Sequence, residues 1–584
     1  MKSIIKLIQK FNRQICHLFR NDTFSFAFTV LFVASLLLVL PRTYGVNDNV
    51  GILFDAEGGF ISEFTSFFYM KLLHLLYQMT NDIPWYGLAL YFAHILSLFI
   101  FVRSLARIKN FDAFFIPFLI VYLYFYSFFI VQVDYSSTSI MVGANSLFAF
   151  LVLLSNRRKV SIFSVLGLGF LFSLSFLIRI PGTYAVLVYG FPIIGLFLIG
   201  KYPKKMYLIY FVIFLMPFLL FLIGDNLART HLTSIEYQQY HEFNSLRGKL
   251  HDYPILGINM NNPKILKENN WTKNDYESFV YWNFFDERKY NVTTLNNILK
   301  YSVLEKEHKI QKYFSSYFQT SIKLIYYSGN KWHFYLLLLT GILVIFRFHL
   351  GTLSVVFCYL LYAISVSVYL DIFYRFPTRI GHPILLMCTI FLIFLIFKFF
   401  SGKFSKKNTY YNLLVAIFSF GILGFLFSTG MRHNLTTDVL FKSSFNRLQS
   451  AYQGKILYIP PLALQWEKMD PLKRYHFNFH QIVYAGGTST FSPGFYNELE
   501  KLGVKKGYEL IPDLVNNPNA YVIAMSKNQF CSTSDYNLKC KAVVIEQLPN
   551  GHLILKLKSK GVIESAWFLI IPYATLVFKY LLFH

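Results

Sequence analysis

The sequence predicts an α-helical polytopic membrane protein of about eleven transmembrane helices, with a large outer loop and a small α/β extracytoplasmic domain at its C-terminal end. Three observations predict it. Of the 584 residues, 55% are hydrophobic and only 15% charged, and the mean hydropathy is positive, a composition at which a soluble chain would aggregate. The apolar residues fall in runs of about 20, the length a helix needs to cross a hydrocarbon core of about 30 Å. Basic residues gather in short clusters between those runs, as cytoplasmic connections do. The formal charge of +25 is therefore a topological signal; a nucleic-acid footprint would need one basic stripe or arm, so no nucleic-acid partner is expected.

In chain order the runs place spans near 24–41, 84–102, 112–133, 138–155, 161–179, 183–200, 206–224, 332–347, 351–370, 381–399 and 410–429. The first is long and ends in Pro41-Arg42 where a cleavable leader would have small residues, so it reads as an uncleaved span. When the spans alternate, Arg13 and Arg20, Arg103 and Arg107, the Arg157-Arg158-Lys159 run, Lys204 and Lys205, and Lys403 to Lys407 share one side, the cytoplasmic one, together with the N-terminus. The other side receives loop 42–83, the connection Asp134–Ser137, loop 225–331, residues 371–382 and everything after 430.

The chain thus divides into a membrane domain, 1–429, and an outer domain, 430–584. In the outer domain the pattern changes to short β-rich runs, Lys455–Ile459, Ala520–Ala524 and His552–Leu557, separated by Asn, Pro and Gly. The apolar tail 567–583 holds Pro572 and Lys579. It reads as an interfacial or partly buried element in preference to a twelfth span or to strands of the outer domain. The long outer loop has no counterpart in the other half of the chain, unlike the inverted repeats of many transporters. Five cysteines are too few for a disulfide scaffold. Cys531 and Cys540 flank a polar stretch able to turn back on itself, and in an oxidising compartment they pair; the alternative is two free thiols.

Three carboxylates, Asp48, Asp55 and Glu57, follow the first span among glycines and apolar residues. At a membrane boundary desolvation raises carboxylate basicity, which suits a general base, whereas an ordinary polar loop would use Asp48 to cap a turn or helix. Arg179, Arg375 and Arg379 lie on the outer side, where positive charge is depleted. A bound phosphate accounts for that, as does snorkelling to lipid headgroups. His74, His94 and His382 show no metal-ligand spacing.

The acidic loop is followed by the amphipathic run Phe60–Met79 and by Asn81-Asp82-Ile-Pro84-Trp85-Tyr86-Gly87, which opens the second span. Further along stand Gln132-Val-Asp134-Tyr-Ser-Ser, Leu177-Ile-Arg179-Ile-Pro181, Tyr240-His-Glu-Phe-Asn244-Ser-Leu-Arg247, Phe376-Pro377-Thr-Arg379 and Thr490-Phe-Ser492-Pro493. In these motifs the chain resembles the GT-C superfamily of polytopic glycosyltransferases, in particular a bacterial group with an Asn-Asp motif in the first outer loop. The resemblance implies a multi-pass protein of a bacterial inner membrane. It would move a sugar from a polyprenyl-phosphate donor to a glycan, lipid or protein acceptor on the outer face, in contact with membrane lipids.

It implies further that Asp48 is the catalytic base, with Asp55 and Glu57 as acceptor- or cation-binding partners, and that Arg379, Arg179 and Arg375 hold the donor phosphate. Trp271, Asp275 and Trp282 of the long loop would contact substrate, the tryptophans stacking on sugar rings unless they are interfacial anchors. Many relatives carry two adjacent acids where this chain has Asp48-Asn49, so a second carboxylate has to come from Asp55 or Glu57. No cofactor is assigned, and a divalent cation is left open. The competing functions are a transporter or flippase of lipid-linked glycans and a glycan polymerase or ligase. A transporter is disfavoured by the missing duplicated half and by spans that lack charge midway.

Overall fold

The computed structural model describes residues 2–304, 350–399, 440–459, 466–475, 481–483, 489–524 and 540–559, apart from 110, 113, 157–159, 200–203, 254–262, 281 and 283. Within these, six helices are long and apolar enough to cross a membrane. They belong to α2 (Asp22–Val39), α5 (Trp85–Leu105), α7 (Tyr135–Asn156), α10 (Lys204–His231) and the helices Leu350–Phe373 and Thr378–Phe399. The shorter apolar helices α6 (Phe115–Val131), α8 (Ile162–Ile178) and α9 (Ile180–Ile199) occupy three more of the expected spans. The chain is a multi-pass membrane protein. Expected spans near 332–347 and 410–429, the domain boundary at 429/430 and the tail 567–583 lie outside the described residues. One helix was not foreseen: the basic N-terminal stretch forms α1 (Lys2–Leu18), with Cys16 buried near its end.

α7 is the axis of the bundle. It is buried along almost its whole length, and α5, α8, α9 and the helix Thr378–Phe399 all pack on it. Its sequence explains this: Ser136 to Ser139, Gly143, Asn145 and Ser146 are small or weakly polar, so neighbouring backbones approach closely. The polar groups are met internally. Ser139 Oγ donates to Ser175 O at 2.8 Å, Asn145 Nδ2 to Ser97 Oγ at 2.9 Å, and Tyr122 OH to Asn145 Oδ1 at 3.0 Å. In hydrocarbon such groups have no water to turn to.

At one end of the bundle the arginines of the basic clusters meet acids, Arg20 with Asp112 at 3.0 Å and Arg107 with Asp22 at 3.0 Å. At the other end lie α3 (Asp48–Gly58), α4 (Phe67–Met79), the loop helices α11 (Ile235–Asp252), α12 (Pro263–Glu268), α13 (Lys273–Val280) and α14 (Val292–Leu304), and a five-stranded sheet. The sheet runs in the order β4 (Gln481–Val483), β3 (Ile456–Tyr458), β5 (Ala520–Ala524), β7 (Leu553–Ser559), β6 (Cys540–Gln547). β3 is parallel to β4 and β5, and β7 is antiparallel to β5 and β6.

Successive strand residues enter two different cores. Tyr458, Val522 and Leu555 pack with Phe243, Trp271 and Phe284 of the long loop, while Leu457, Ile523 and Ile554 join the core of the membrane domain. Covered on both faces, β3 and β5 carry only Ala, Val, Ile, Leu and Tyr, while β7 adds Lys556 and Lys558. The described strands of the outer domain thus share a core with the long loop. Two glycines mark where the segments press together. A β-carbon at Gly507 would stand 1.9 Å from Phe285 O, and one at Gly87 1.9 Å from Pro471 O, so neither position admits a side chain without displacing backbone.

Candidate active site

The site is assembled by a short strand pair. β1 (Thr43–Tyr44) runs parallel to β2 (Gln132–Val133), pairing Thr43 with Gln132 and Tyr44 with Val133. This fastens the chain leaving the first span to the end of the third, and it sets Asp48 beside Asp134-Tyr135. Asp134 caps α7, its Oδ1 accepting from Ser136 N at 2.8 Å and Ser137 N at 3.1 Å. Asn49, fully buried, accepts from Tyr86 OH at 2.7 Å and Tyr135 N at 3.2 Å and donates to Val46 O at 3.2 Å.

Asp48 is the first residue of α3. Its Oδ2 accepts from Tyr135 OH at 3.1 Å and from Arg379 Nη1 at 2.8 Å. Among the described residues both contacts fall on this one oxygen, and Oδ1 is left for another partner. Asn49 spends its amide on Tyr86, Tyr135 and Val46, so the carboxylate is held by Tyr135 and Arg379. Helix capping is not its role, since Asn47 occupies the cap position and accepts from Glu467 N at 3.1 Å.

Four arginines converge here. Arg179, at the junction of α8 and α9, lies 4.7 Å from the Tyr135 ring and donates from Nη1 to Ser136 Oγ. Arg379 stands 6.0 Å from the same ring, and its Nε is buried without a hydrogen-bond partner among the described residues. Arg375 donates to Asp252 Oδ1 at 2.7 Å and is 53% exposed. Arg247, which sequence reasoning missed as a site residue, is 4% exposed and stacks 4.5 Å from the Trp282 ring. Its Nε donates to Asn244 Oδ1 at 2.8 Å, and its Nη1 is buried without a hydrogen bond. Burial pulls Arg247 below the usual guanidinium range against the opposing charges of Asp252, Tyr240 and Asp48. Burial also pushes Asp252 upward, but the His251 hydrogen bond and the charges of Arg247 and Arg375 hold it below the ordinary carboxylate value. Trp282 therefore belongs to this cluster, against Arg247 and, at 4.0 Å between centroids, His251.

The other acids of the first loop separate by helical arithmetic. Asp55 lies on the same face of α3 as Asp48, about 10 Å further along at ~1.5 Å per residue. Burial, moderated by a hydrogen bond from Ser62 and reinforced by Glu63, pushes its pKa up to about 7. It lines a cavity of about 330 Å³ with Glu57, Phe60, Ser489, Asn497 and Glu498. Glu57 turns to the opposite face, where Arg474 engages it while also bonding Asn81 O at 2.7 Å. Glu57 therefore does not share the cleft of Asp48, contrary to expectation.

Two substrate-contact candidates are corrected as well. Trp271 is 4% exposed within the loop core, its Nε1 donating to Lys289 O at 3.1 Å. Asp275 closes a capping box with Thr272 at the start of α13 and pairs with Lys289 at 2.8 Å. Both hold the loop together. The proposed Cys531–Cys540 bridge falls outside the described residues at Cys531. Among the described residues the groups in contact with the Asp48 carboxylate are the Tyr135 phenol and the Arg379 guanidinium.

No family model matches the chain, and no curated protein matches it. Among solved structures it is similar to ArnT from Cupriavidus metallidurans bound to undecaprenyl phosphate, at 13% identity and a TM-score of 0.36, over 91% of this chain and 98% of that one.

Proposed function

We propose that the chain is a GT-C type glycosyltransferase that moves a sugar from a polyprenyl-phosphate donor to an acceptor hydroxyl, with Asp48 as the base. The observation that carries the reading is the Asp48 carboxylate itself. One oxygen is fixed by Tyr135 and Arg379, the other is open, and arginines surround it at the end of the spans. A buried N–H group without a hydrogen bond costs about 1–3 kcal/mol, so Arg379 Nε is held at a cost that a phosphate would relieve, while Arg247 Nη1 lies 3.9 Å from Asp252 Oδ2, an ion pair with no hydrogen bond among the described residues.

In the reaction the acceptor oxygen bonds to the anomeric carbon as the bond from that carbon to the phosphate oxygen breaks. The acceptor proton passes to Asp48 Oδ1, and the negative charge left on the polyprenyl phosphate falls on Arg379, Arg179 and Arg247. A single displacement of this kind inverts the anomeric configuration. The end bearing Arg20, Arg103 and Arg107 is assigned to the cytoplasm, which puts the site on the outer face.

The test is reconstitution of the full chain with a panel of polyprenyl-phosphate sugars, reading donor binding and release of polyprenyl phosphate. Binding of at least one donor, lost on Arg379→Ala with normal expression, is expected. No binding of any donor would remove the proposal. Reporter fusions at Lys205 and Gly454 should fall on opposite sides of the membrane.

A further inference from the structure

α3 carries Asp48 on its first turn and lines a cavity along its later ones. The cavity, of about 330 Å³, opens between α3 and the helix Pro493–Lys501 of the outer domain. Gly51 comes nearly one turn after Asp48. A β-carbon there would find Ser489 Oγ nearest, at 3.9 Å, so the absent side chain leaves that space open. Further along, the wall is aromatic. The Phe60 ring sits where β-carbons on Gly58 and Gly494 would come within 2.6 and 3.1 Å of it, so both glycines are needed to seat it.

The polar groups of the lining are mostly acceptors. Asp55, Glu57 and Glu498 supply carboxylates, Ser489 and Asn497 neutral groups, and Lys501 the one cation among the described residues of the lining. Lys501 bonds Glu498 at 2.6 Å, and Arg474, from outside the lining, bonds Glu57. Asp55 has no ion pair among the described residues. Such a lining suits a molecule that offers hydroxyls and is set against a further anion. The surroundings of Asp48 are the reverse, with Arg179, Arg247, Arg375 and Arg379 gathered there.

A sugar ring meets both parts of the lining, its C–H face lying on an aromatic side chain and its hydroxyls donating to carboxylates. A peptide has less to hold it, since no described strand lines the cavity and offers it an edge to pair with. Asn497 also lines a wider cleft of about 630 Å³, where Tyr240, Phe491 and Tyr496 stand with Gln239. Aromatic rings and side-chain amides recur there, and Asn497 is common to the two hollows.

We infer that the cavity beside Asp55 receives the acceptor as the end of a glycan chain whose terminal sugar carries no phosphate or carboxylate, the next units crossing Asn497 into the wider cleft. The acceptor role rests on the transferase reading; sugar binding at this cavity does not.

The test measures binding to the full chain in nanodiscs by equilibrium dialysis. The probes are neutral tetrasaccharides of glucose, galactose, mannose and N-acetylglucosamine, the matching monosaccharides, the same tetrasaccharides with a phosphate or carboxylate on the terminal sugar, and a serine-rich peptide. At least one neutral tetrasaccharide should bind, about tenfold or more tighter than its monosaccharide and than its anionic forms, because a like charge set against carboxylates costs at least a decade of affinity. Gly51→Leu, which grows into the cavity, should abolish that binding, and Ser489→Leu narrows the cavity from another position should Gly51→Leu fail to fold. Asp55→Asn should keep neutral binding and shrink the discrimination against anionic forms to about twofold, which a merely structural role would not do. Equal binding of neutral and anionic forms by the parent, binding unchanged in the filled variants, or preference for the peptide would overturn the site. Polyprenyl-phosphate donor binding, read in the same preparations, separates the two proposals. Donor bound without any neutral sugar overturns this inference alone, and sugar bound without any donor overturns the transferase reading and the acceptor role with it.

Discussion

Both ends of the bundle set arginines against carboxylates, yet the two arrangements are physically unlike. At the inner end Arg103 and Arg107 share Asp22, with side chains 28%, 29% and 56% exposed. Pairs of this kind contribute about 0–1 kcal/mol, and salt screens them. At the outer end Arg379 and Asp48 are 20% and 26% exposed, and Arg247 is 4% exposed with an unmet N–H. Taking charges out of water costs several kcal/mol per ion, which good geometry repays only in part. The same residue types therefore orient the chain at one end and are retained against their solvation cost at the other. On the proposed transferase reading, burial is what distinguishes a topological charge from a functional one.

The comparison is broken most directly at Asp48. Asp48→Asn keeps the shape and can still accept from Tyr135 but cannot take a proton, so transfer should fall by about 10²–10⁴ with expression unchanged. Activity within about threefold of the parent, a factor worth under 1 kcal/mol, would make Asp48 structural and move the base to Asp55. Next in size is Arg247. Arg247→Met fills similar volume but leaves Asp252 to Arg375 and gives up the Trp282 and Asn244 contacts, so stability should fall, while donor affinity should drop about tenfold. Lower stability with donor affinity intact would place Arg247 in the loop core alone.

How much of this was legible depends on whether the signal is local. Span positions follow from continuous apolar runs, and the helices α2, α5 and α7 begin within a few residues of where those runs do. Arg379 stood out because positive charge is depleted on the outer side, and Asp48 because it follows the first span among glycines and apolar residues. The opposed faces of Asp48 and Glu57 were also readable, since nine residues at about 100° per residue make two and a half turns. So was the structural role of Asp275, because Thr272-x-x-Asp275 has capping-box spacing. Arg247 was not readable. Its burial depends on Trp282 and Asp252 meeting it and on the loop sharing a core with the sheet through Phe243, a contact across more than two hundred residues of chain to Phe491. Tyr135, the hydroxyl that fixes Asp48, was hidden for the same reason: only the β1–β2 pairing brings 44 and 133 together.

A smaller effect comes from Asp55. Its folded pKa of about 7 lies above the ordinary 3.8, so between these values the folded state holds a proton that the unfolded state has released. The stability this carboxyl supports is present below about pH 4 and is lost as pH rises to about 7. Thermal melts of the parent and of Asp55→Asn should accordingly diverge across that window, the variant gaining relative stability up to about pH 7 and a constant gap remaining above it. Parallel curves from pH 4 to pH 8 would mean that Asp55 is solvated and paired in solution, and would withdraw it from the cavity beside Phe60.

The smallest effect belongs to the mirror of the first substitution. Asp22→Asn changes a carboxylate that, like Asp48, opens a helix and meets arginines, but here the carboxylate is 56% exposed. Its loss removes ion pairs of at most about 1 kcal/mol and a helix-dipole contribution of about 0.3–1 kcal/mol, while Asn21 still caps α2 by accepting from Phe24 N. The melting transition should therefore move by only a few degrees and transfer should stay within about twofold. The end bearing Arg103 and Arg107 becomes more positive, which reinforces the orientation expected from the basic clusters. If Asp22→Asn instead abolished transfer as completely as Asp48→Asn, exposure would not separate the two ends, and the outer cluster would lose its standing as the site of chemistry.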